Sequence, residues 1–303
     1  MTEIVRKTII ERYEEHLLTT CGLAPGSINR YKWHVLKFLR ARFGDPAKAD
    51  LNALGGKDFI AHISALSGHY ALRTRKDAVS SLRSFLRWLE LNGQCGSDLI
   101  NAVPTVSCPK SPGIPMHLSE TQLSSFLNSF DRESPIGLRD HTAAICMVRL
   151  GLRVGEVVRL SLDDLDWRQG VLRINKGKGR RGNILPILRE VGEAILSYLR
   201  HGRPPTNSRF IFVSHKNPRK PVHRDTIRDR IRKAIKSLGT DLPYKGTHVL
   251  RHTAATRMLQ KGATLKEIAD ILGHRSIDTT AIYAKVDLPN LSDVAMPWPE
   301  VEL

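Results

Sequence analysis

Long apolar runs are missing from this sequence. No segment approaches the ~20 apolar residues that a bilayer-crossing helix needs, so no membrane span or membrane partner is expected. The opening residues, MTEIVRKTIIERYEEH, mix acids into their apolar pattern, which excludes a secretory signal peptide. Cysteine is scarce and scattered: Cys21, Cys95, Cys108 and Cys146 form no C-x-x-C pair. A disulfide framework or cysteine zinc site is therefore not expected, and a reducing, cytoplasmic setting is. Acidic charge is the third shortage. Asp and Glu number 30 against 47 Lys and Arg, a formal net charge of +17 over 303 residues. Such an excess points to nucleic acid, because Lys and Arg displace condensed counterions from phosphates. A solubility surface or a membrane-facing patch is the plainer alternative. With 41% hydrophobic residues there is enough apolar material for packed cores, which excludes global disorder, and the length suggests two domains.

What is present reads first as helices. Ile4 to Leu18 carries a stripe at Ile9, Ile10, Tyr13 and Leu17. Ala24 to Ser27 breaks it, with Ser27 as cap for a helix from Ile28 to Phe43. A shorter helix is expected near Lys57 to Leu66. A long one over Tyr70 to Leu91 has a core stripe of Val79, Leu82, Phe85, Leu86 and Leu89. Both long helices have basic faces, including Lys32, Lys37, Arg42, Arg75, Arg83 and Arg87. These could grip duplex phosphates, giving position and little sequence information, or could be solvated surface. Four prolines between Asn101 and Pro115 mark a linker. The division read from the chain is a helical domain at 1–108, a linker at 109–117, and a second domain at 118–303.

In the second domain Ser119 and Gln122 have capping-box spacing. Leu138 to Leu150 reads as a helix buried through Ala143 to Val148 and ended by Gly151. Arg153 follows, three residues before Glu156, and a salt bridge between them is the simple reading. Two strand-like runs, Val171 to Ile174 and Ile184 to Ile187, flank the basic turn Asn175 to Gly182, where Lys178 alone would pass for a solvated hairpin tip. Glu190 to Arg200 reads as a helix, Phe210 to Val213 as a short strand, and Arg224 to Gly239 as a basic helix able to lie in a groove or along a backbone.

The densest stretch is Thr247 to Val286, THVLRHTAATRMLQKGATLKEIADILGHRSIDTTAIYAKV. His248 and Arg251 are three apart and share a helix face. His274 and Tyr283 follow. Arg offers phosphate a planar fork of donors, His donates or moves a proton near neutral pH, and a Tyr hydroxyl can form a covalent ester. A metal site at His248, His252 and His274 fits poorly: H-E-x-x-H is absent, and Arg251 between two of them would repel a cation. His252 reads as a core or supporting histidine.

Arg153 within Gly151-Leu152-Arg153-Val154-Gly155-Glu156, Lys178 within Gly177-Lys178-Gly179, His248, Arg251, His274 and Tyr283 occur in order from about Leu118 to Val286. Together they make the chain resemble the tyrosine recombinase (phage integrase) family, of the Xer-like two-domain kind. The resemblance implies a mainly α fold with a small β-sheet: an N-terminal helical, SAM-like core-binding domain, and a mixed α/β catalytic domain of the DNA breaking-rejoining type. It implies a site-specific recombinase, free of metal and cofactor, that cleaves and rejoins double-stranded DNA through a 3′-phosphotyrosyl intermediate for integration, excision or dimer resolution. In that reading Arg153 and Arg251 clamp the phosphate and His274 donates to it. His248 assists proton transfer, Lys178 is the general acid, and Tyr283 is the nucleophile. The implied assembly is a homo-tetramer on two paired sites, or a set shared with a related recombinase. Many relatives carry an Arg five residues beyond the Lys. This chain has Asn183, which places that phosphate contact in doubt or moves it to Arg180 or Arg181. The tail, with Leu288, Leu291, Val294 and Trp298, either docks on a neighbouring subunit or packs on its own domain. A non-catalytic DNA-binding regulator and a type IB topoisomerase-like enzyme are the rival functions.

Overall fold

The computed structural model describes residues 8–96, 98–107, 115–175, 182–239, 246–274 and 278–283. The chain divides into two compact units, Met1–Lys110 and Ser111–Leu303.

The first unit is helical. Helix α1 (Ile9–Thr19) opens on a capping box: Thr8 accepts from the Glu11 amide, and the Glu11 carboxylate accepts from the Thr8 amide at 2.7 Å. Helix α2 (Pro25–Phe43) begins earlier than the sequence suggests. Pro25 takes the first helical position, where its fixed φ suits the helix and its missing N–H is no loss, so Ser27 lies inside the first turn and caps nothing. Helices α3 (Gly56–Ala65) and α4 (Leu72–Leu91) follow. The core joins Tyr13 and Leu17 of α1, Phe38 of α2, Phe59 of α3, and Phe85 of α4. Phe38 stacks on Phe59 at 4.6 Å between centroids, and Tyr13 meets Phe85 edge-on at 5.1 Å. The proline-bearing run from Asn101 to Pro115 does not begin as linker. Asp98–Ala102 is a short helix, α5, and Val103 behind it is buried in this core. Arg83 of α4 donates to the Val103 carbonyl at 2.8 Å and to Thr105 at 3.0 Å.

The second unit is built around α7 (Pro135–Leu150), which follows α6 (Glu120–Asn128) with its Ser119–Gln122 capping box. Helix α7 is buried from Leu138 to Val148, as expected of a helix that is apolar most of the way round. Among its polar residues, Arg139 donates to Asp140 from Nε at 2.9 Å and Nη2 at 2.7 Å, and the Thr142 hydroxyl donates to the Leu138 carbonyl at 2.8 Å. A short helix, α8 (Val154–Val157), leads to a three-stranded antiparallel sheet in the order β1 (Leu165–Asp166), β2 (Val171–Ile174), β3 (Asn183–Pro186). Leu172 pairs with Leu185 and Ile174 with Asn183. Helix α9 (Arg189–Ser197) continues into a wider turn over Tyr198–Gly202.

The expected strand at Phe210 to Val213 is only two isolated bridges, Ser161 to Phe210 and Val213 to Pro221. Pro218 and Pro221 cannot donate to a ladder, and Ile211 to Val213 are buried with separate backbone bonds, Ile211 N–H to the Leu160 carbonyl and Val222 N–H to the Phe212 carbonyl. The chain closes with α10 (Arg224–Ser237), α11 (His248–Gln260), α12 (Leu265–Leu272) and α13 (Asp278–Ala281). Helices α9, α10 and α11 all pack on α7. Among the described residues no helix is long and apolar enough to cross a membrane.

Candidate active site

The site is assembled where α7 ends and α11 begins. Gly151 stops α7 in the left-handed region, at φ +65°, a conformation open to glycine at little cost. The next turn presents Arg153 as the N-cap of α8. Glu156 holds it twice, accepting from its backbone N–H at 2.8 Å and from Nη1 at 3.0 Å. The salt bridge read from the spacing exists, and it fixes the guanidinium rather than hiding it: the Arg153 side chain stays 38% exposed while Glu156 is 8% exposed.

Arg251 comes from the first turn of α11 and is buried. Its Nη1 donates to the Gly151 carbonyl at 2.6 Å and its Nη2 to the Leu272 carbonyl at 2.5 Å. Burial, with Arg153 nearby, lowers its pKa to about 10, so it stays charged at neutral pH. His248, one turn earlier, has its pKa lowered by burial and then by Arg251 and Arg153. Arg153, His248 and Arg251 line one cavity of about 260 Å³, together with Arg159, Arg224 and Thr247. Larger hollows, of about 390 and 450 Å³, lie beside the N-terminal half of α7 and contain none of these three residues. The smaller cavity is the candidate because four guanidinium groups line it, which suits an anion.

Tyr283 is buried among Ala255, Leu259, Ile268 and Leu272. Its hydroxyl lies 2.8 Å from Nδ1 of His252. Burial pushes the phenol up to about 12, while Arg251 and Arg153 pull the other way. His252 is pushed down to about 4 by burial, then by His248, Arg251 and His117. Among the described residues no group of three or more His, Cys, Asp or Glu is placed to hold a metal ion.

A profile of the phage integrase family matches residues 117–288, and one of its N-terminal SAM-like domain matches residues 10–93. The chain belongs to the phage integrase family. It is 42% identical over 294 residues to the protein designated integrase/recombinase y4rA of Sinorhizobium fredii, covering 96% of this chain and 70% of the relative. It is 30% identical over 295 residues to the tyrosine recombinase XerD of Listeria monocytogenes, covering 94% and 96%. A crystal structure of the XerH site-specific recombinase, bound to a palindromic difH substrate in a post-cleavage complex, matches with a TM-score of 0.72 at 20% identity. That match covers 96% of this chain and 85% of that one, and it shows the shared fold: mainly helical, with a small sheet.

Of the six site residues read from the sequence of this integrase-family chain, three face the cavity: Arg153, His248 and Arg251. Tyr283 is close enough to both arginines to feel their charge. His274 follows the α12 C-cap, Gly273, and its Nδ1 pairs with the buried Thr280 hydroxyl at 2.6 Å. Lys178 lies outside the described residues, as do Arg180, Arg181 and the tail with Leu288, Leu291, Val294 and Trp298.

Asn183 is accounted for. It donates to the carbonyls of Asp270 at 3.1 Å and Ile271 at 2.8 Å, so its side chain is bonded to the protein itself. Sequence reasoning passed over Arg159 and Arg224 as cavity residues. Their signal was weak, since each is one cation among many in a basic chain. His252, read from the sequence as a core or supporting histidine, is the ring that meets the Tyr283 hydroxyl.

Proposed function

We propose that the chain is a site-specific tyrosine recombinase that cuts and rejoins double-stranded DNA through a 3′-phosphotyrosyl intermediate at Tyr283. The carrying observation is the convergence of Arg153, His248 and Arg251 on one cavity, with Tyr283 within electrostatic reach of both arginines. A phosphodiester resists attack because its transition state concentrates charge on the non-bridging oxygens, and fixed cations there supply the largest help. Arg251 is already fixed by two carbonyls and Arg153 by Glu156. Tyr283 attacks phosphorus and the 5′-oxygen leaves. His274 donates to the phosphate, His248 assists proton transfer, and Lys178 protonates the leaving oxygen. The covalent ester conserves the bond energy, so no nucleotide is consumed, and the cations take the place of a metal. A 5′-hydroxyl from another strand then reseals the DNA in a new pairing.

The same proposal gives the SAM-like unit the task of gripping duplex DNA through its phosphates, with 109–117 as the linker between the units. Part of its basic surface is committed internally. Lys32 pairs with Glu14, Arg42 with Asp58, and Arg83 with the chain after α5. Arg30, Arg73, Lys76 and Arg87 remain as backbone contacts. The assembly would be a tetramer on two paired sites, of this chain or shared with a related recombinase, working in the cytoplasm.

The test is covalent trapping on a nicked suicide duplex, using a site selected from random duplexes by binding to the protein. Wild type should give a chelator-resistant protein–DNA band on a denaturing gel, and Tyr283→Phe should give none. Tight binding without any covalent band from wild type would point to a DNA-binding regulator instead.

A further inference from the structure

The proposed reaction needs a group that takes the tyrosine proton, and the residue in contact with that proton's oxygen is not His248. His248 lines the cavity with Arg153 and Arg251. His252, one turn further along α11, is the imidazole against the phenol, with Nδ1 2.8 Å from Oη and ring centroids 5.6 Å apart. We propose that His252 is a further catalytic residue, accepting the Tyr283 proton at Nδ1 as the phenol oxygen attacks phosphorus. This rests on the reading of Tyr283 as nucleophile.

The surroundings keep His252 ready for that task. Burial first, then His248 and Arg251 on its own helix and His117 from the segment before α6, oppose a positive charge on its ring, so the ring is neutral at neutral pH. The neutral ring has one lone-pair nitrogen, so an acceptor is present at neutral pH. Burial raises the phenol, and Arg251 and Arg153 offset part of that rise. A DNA phosphate brought into the cavity adds negative charge near the ring, which favours the imidazolium once formed.

The step balances. The Oη–H proton moves to Nδ1, the Oη–P bond forms, and the P–O5′ bond breaks with its electron pair going to O5′. That oxygen takes a proton from the general acid of the proposed reaction. On rejoining, His252 returns its proton to the departing tyrosine oxygen. This moves the tyrosine-proton role given above to His248 onto His252, and leaves His248, which lines the cavity, to donate to the phosphate.

Single-turnover cleavage of the suicide duplex across a pH series tests this, with His252→Ala, His252→Asn and Tyr283→Phe beside wild type. Both His252 variants should slow covalent complex formation by about 10²–10⁴-fold while duplex affinity stays unchanged. The Asn variant retains a hydrogen-bonding group at the Nδ1 position but cannot take the proton, so it should remain slow. In His252→Ala the rate should climb with pH where wild type is level, and added imidazole should recover part of it. A 5′-bridging phosphorothiolate, whose thiolate leaves without a proton, should not relieve the defect. Cleavage at the wild-type rate by either His252 variant would overturn the assignment. So would an equal loss at every pH with no response to imidazole, which would mark a packing role. A covalent band persisting in Tyr283→Phe would instead overturn the nucleophile reading itself.

Discussion

Substituting Gly151 tests how the end of α7 holds the site together. Gly151 sits at φ +65°. A Cβ built on it would lie 2.3 Å from Cδ2 of Leu272 and 3.6 Å from Cβ of Ala254. Two costs add in Gly151→Ala. The left-handed conformation costs an L-residue roughly 1–2 kcal/mol. Overpacking costs about 1–3 kcal/mol more, since Leu272 is buried in a cluster with Leu259, Ile268 and Tyr283. The second unit should lose roughly 2–5 kcal/mol, which at ~2–4 °C per kcal/mol is a drop in Tm of about 4–20 °C by calorimetry. Because the Gly151 carbonyl also accepts from Arg251, cleavage should fall further than duplex binding. Leu272→Ala should cost less in the Gly151→Ala background than in wild type, since it removes the clash. A Gly151→Ala protein that melts with wild type would refute the reasoning, and strict additivity with Leu272→Ala would refute the clash.

Asn183→Ala removes two hydrogen bonds made by one amide and should cost about 1–2 kcal/mol in urea unfolding, with slower cleavage at unchanged duplex affinity. Arg251→Lys keeps the charge but loses the fork that reaches the Gly151 and Leu272 carbonyls; cleavage should drop by at least ~10²-fold, and a near-normal rate would show that the fork is dispensable. His141 and His252 are both held down to about 4, chiefly by burial. The unfolded chain protonates them near the ordinary value of 6.5, so between there and about 4 it binds more protons and stability falls as pH drops. The loss is on the order of 3 kcal/mol per histidine at most, and urea midpoints between neutral pH and about pH 5 should fall less steeply in His141→Gln.

The helices were legible because their signals are local. The apolar stripe of α4, the Ser119–Gln122 capping box and the glycine after Leu150 each act within a few residues. The extended run at Phe210 to Val213 misled, because burial of Ile211 to Val213 reads the same in sequence whether or not a partner strand exists. His248 and Arg251 were legible as chemistry from their types and spacing, and Arg153 only through the family resemblance. Their mutual placement was not, because it depends on long-range bonds such as Arg251 to the carbonyl of Gly151, a hundred residues away. The Asn183 bond was hidden for the same reason. A polar residue in a strand carries no mark of the helix end it will meet.

The last turn of α12 is where that bond matters electrically. A helix C-terminus points bare carbonyls outward and carries about half a negative charge, which repels a phosphate. Here three successive carbonyls are covered: Asp270 and Ile271 by the Asn183 amide, Leu272 by the Arg251 guanidinium. A helix end that would push DNA away has been neutralised ahead of its arrival, two residues before His274. The integrase reaction proposed here would then begin with its least welcoming dipole already answered by the protein itself.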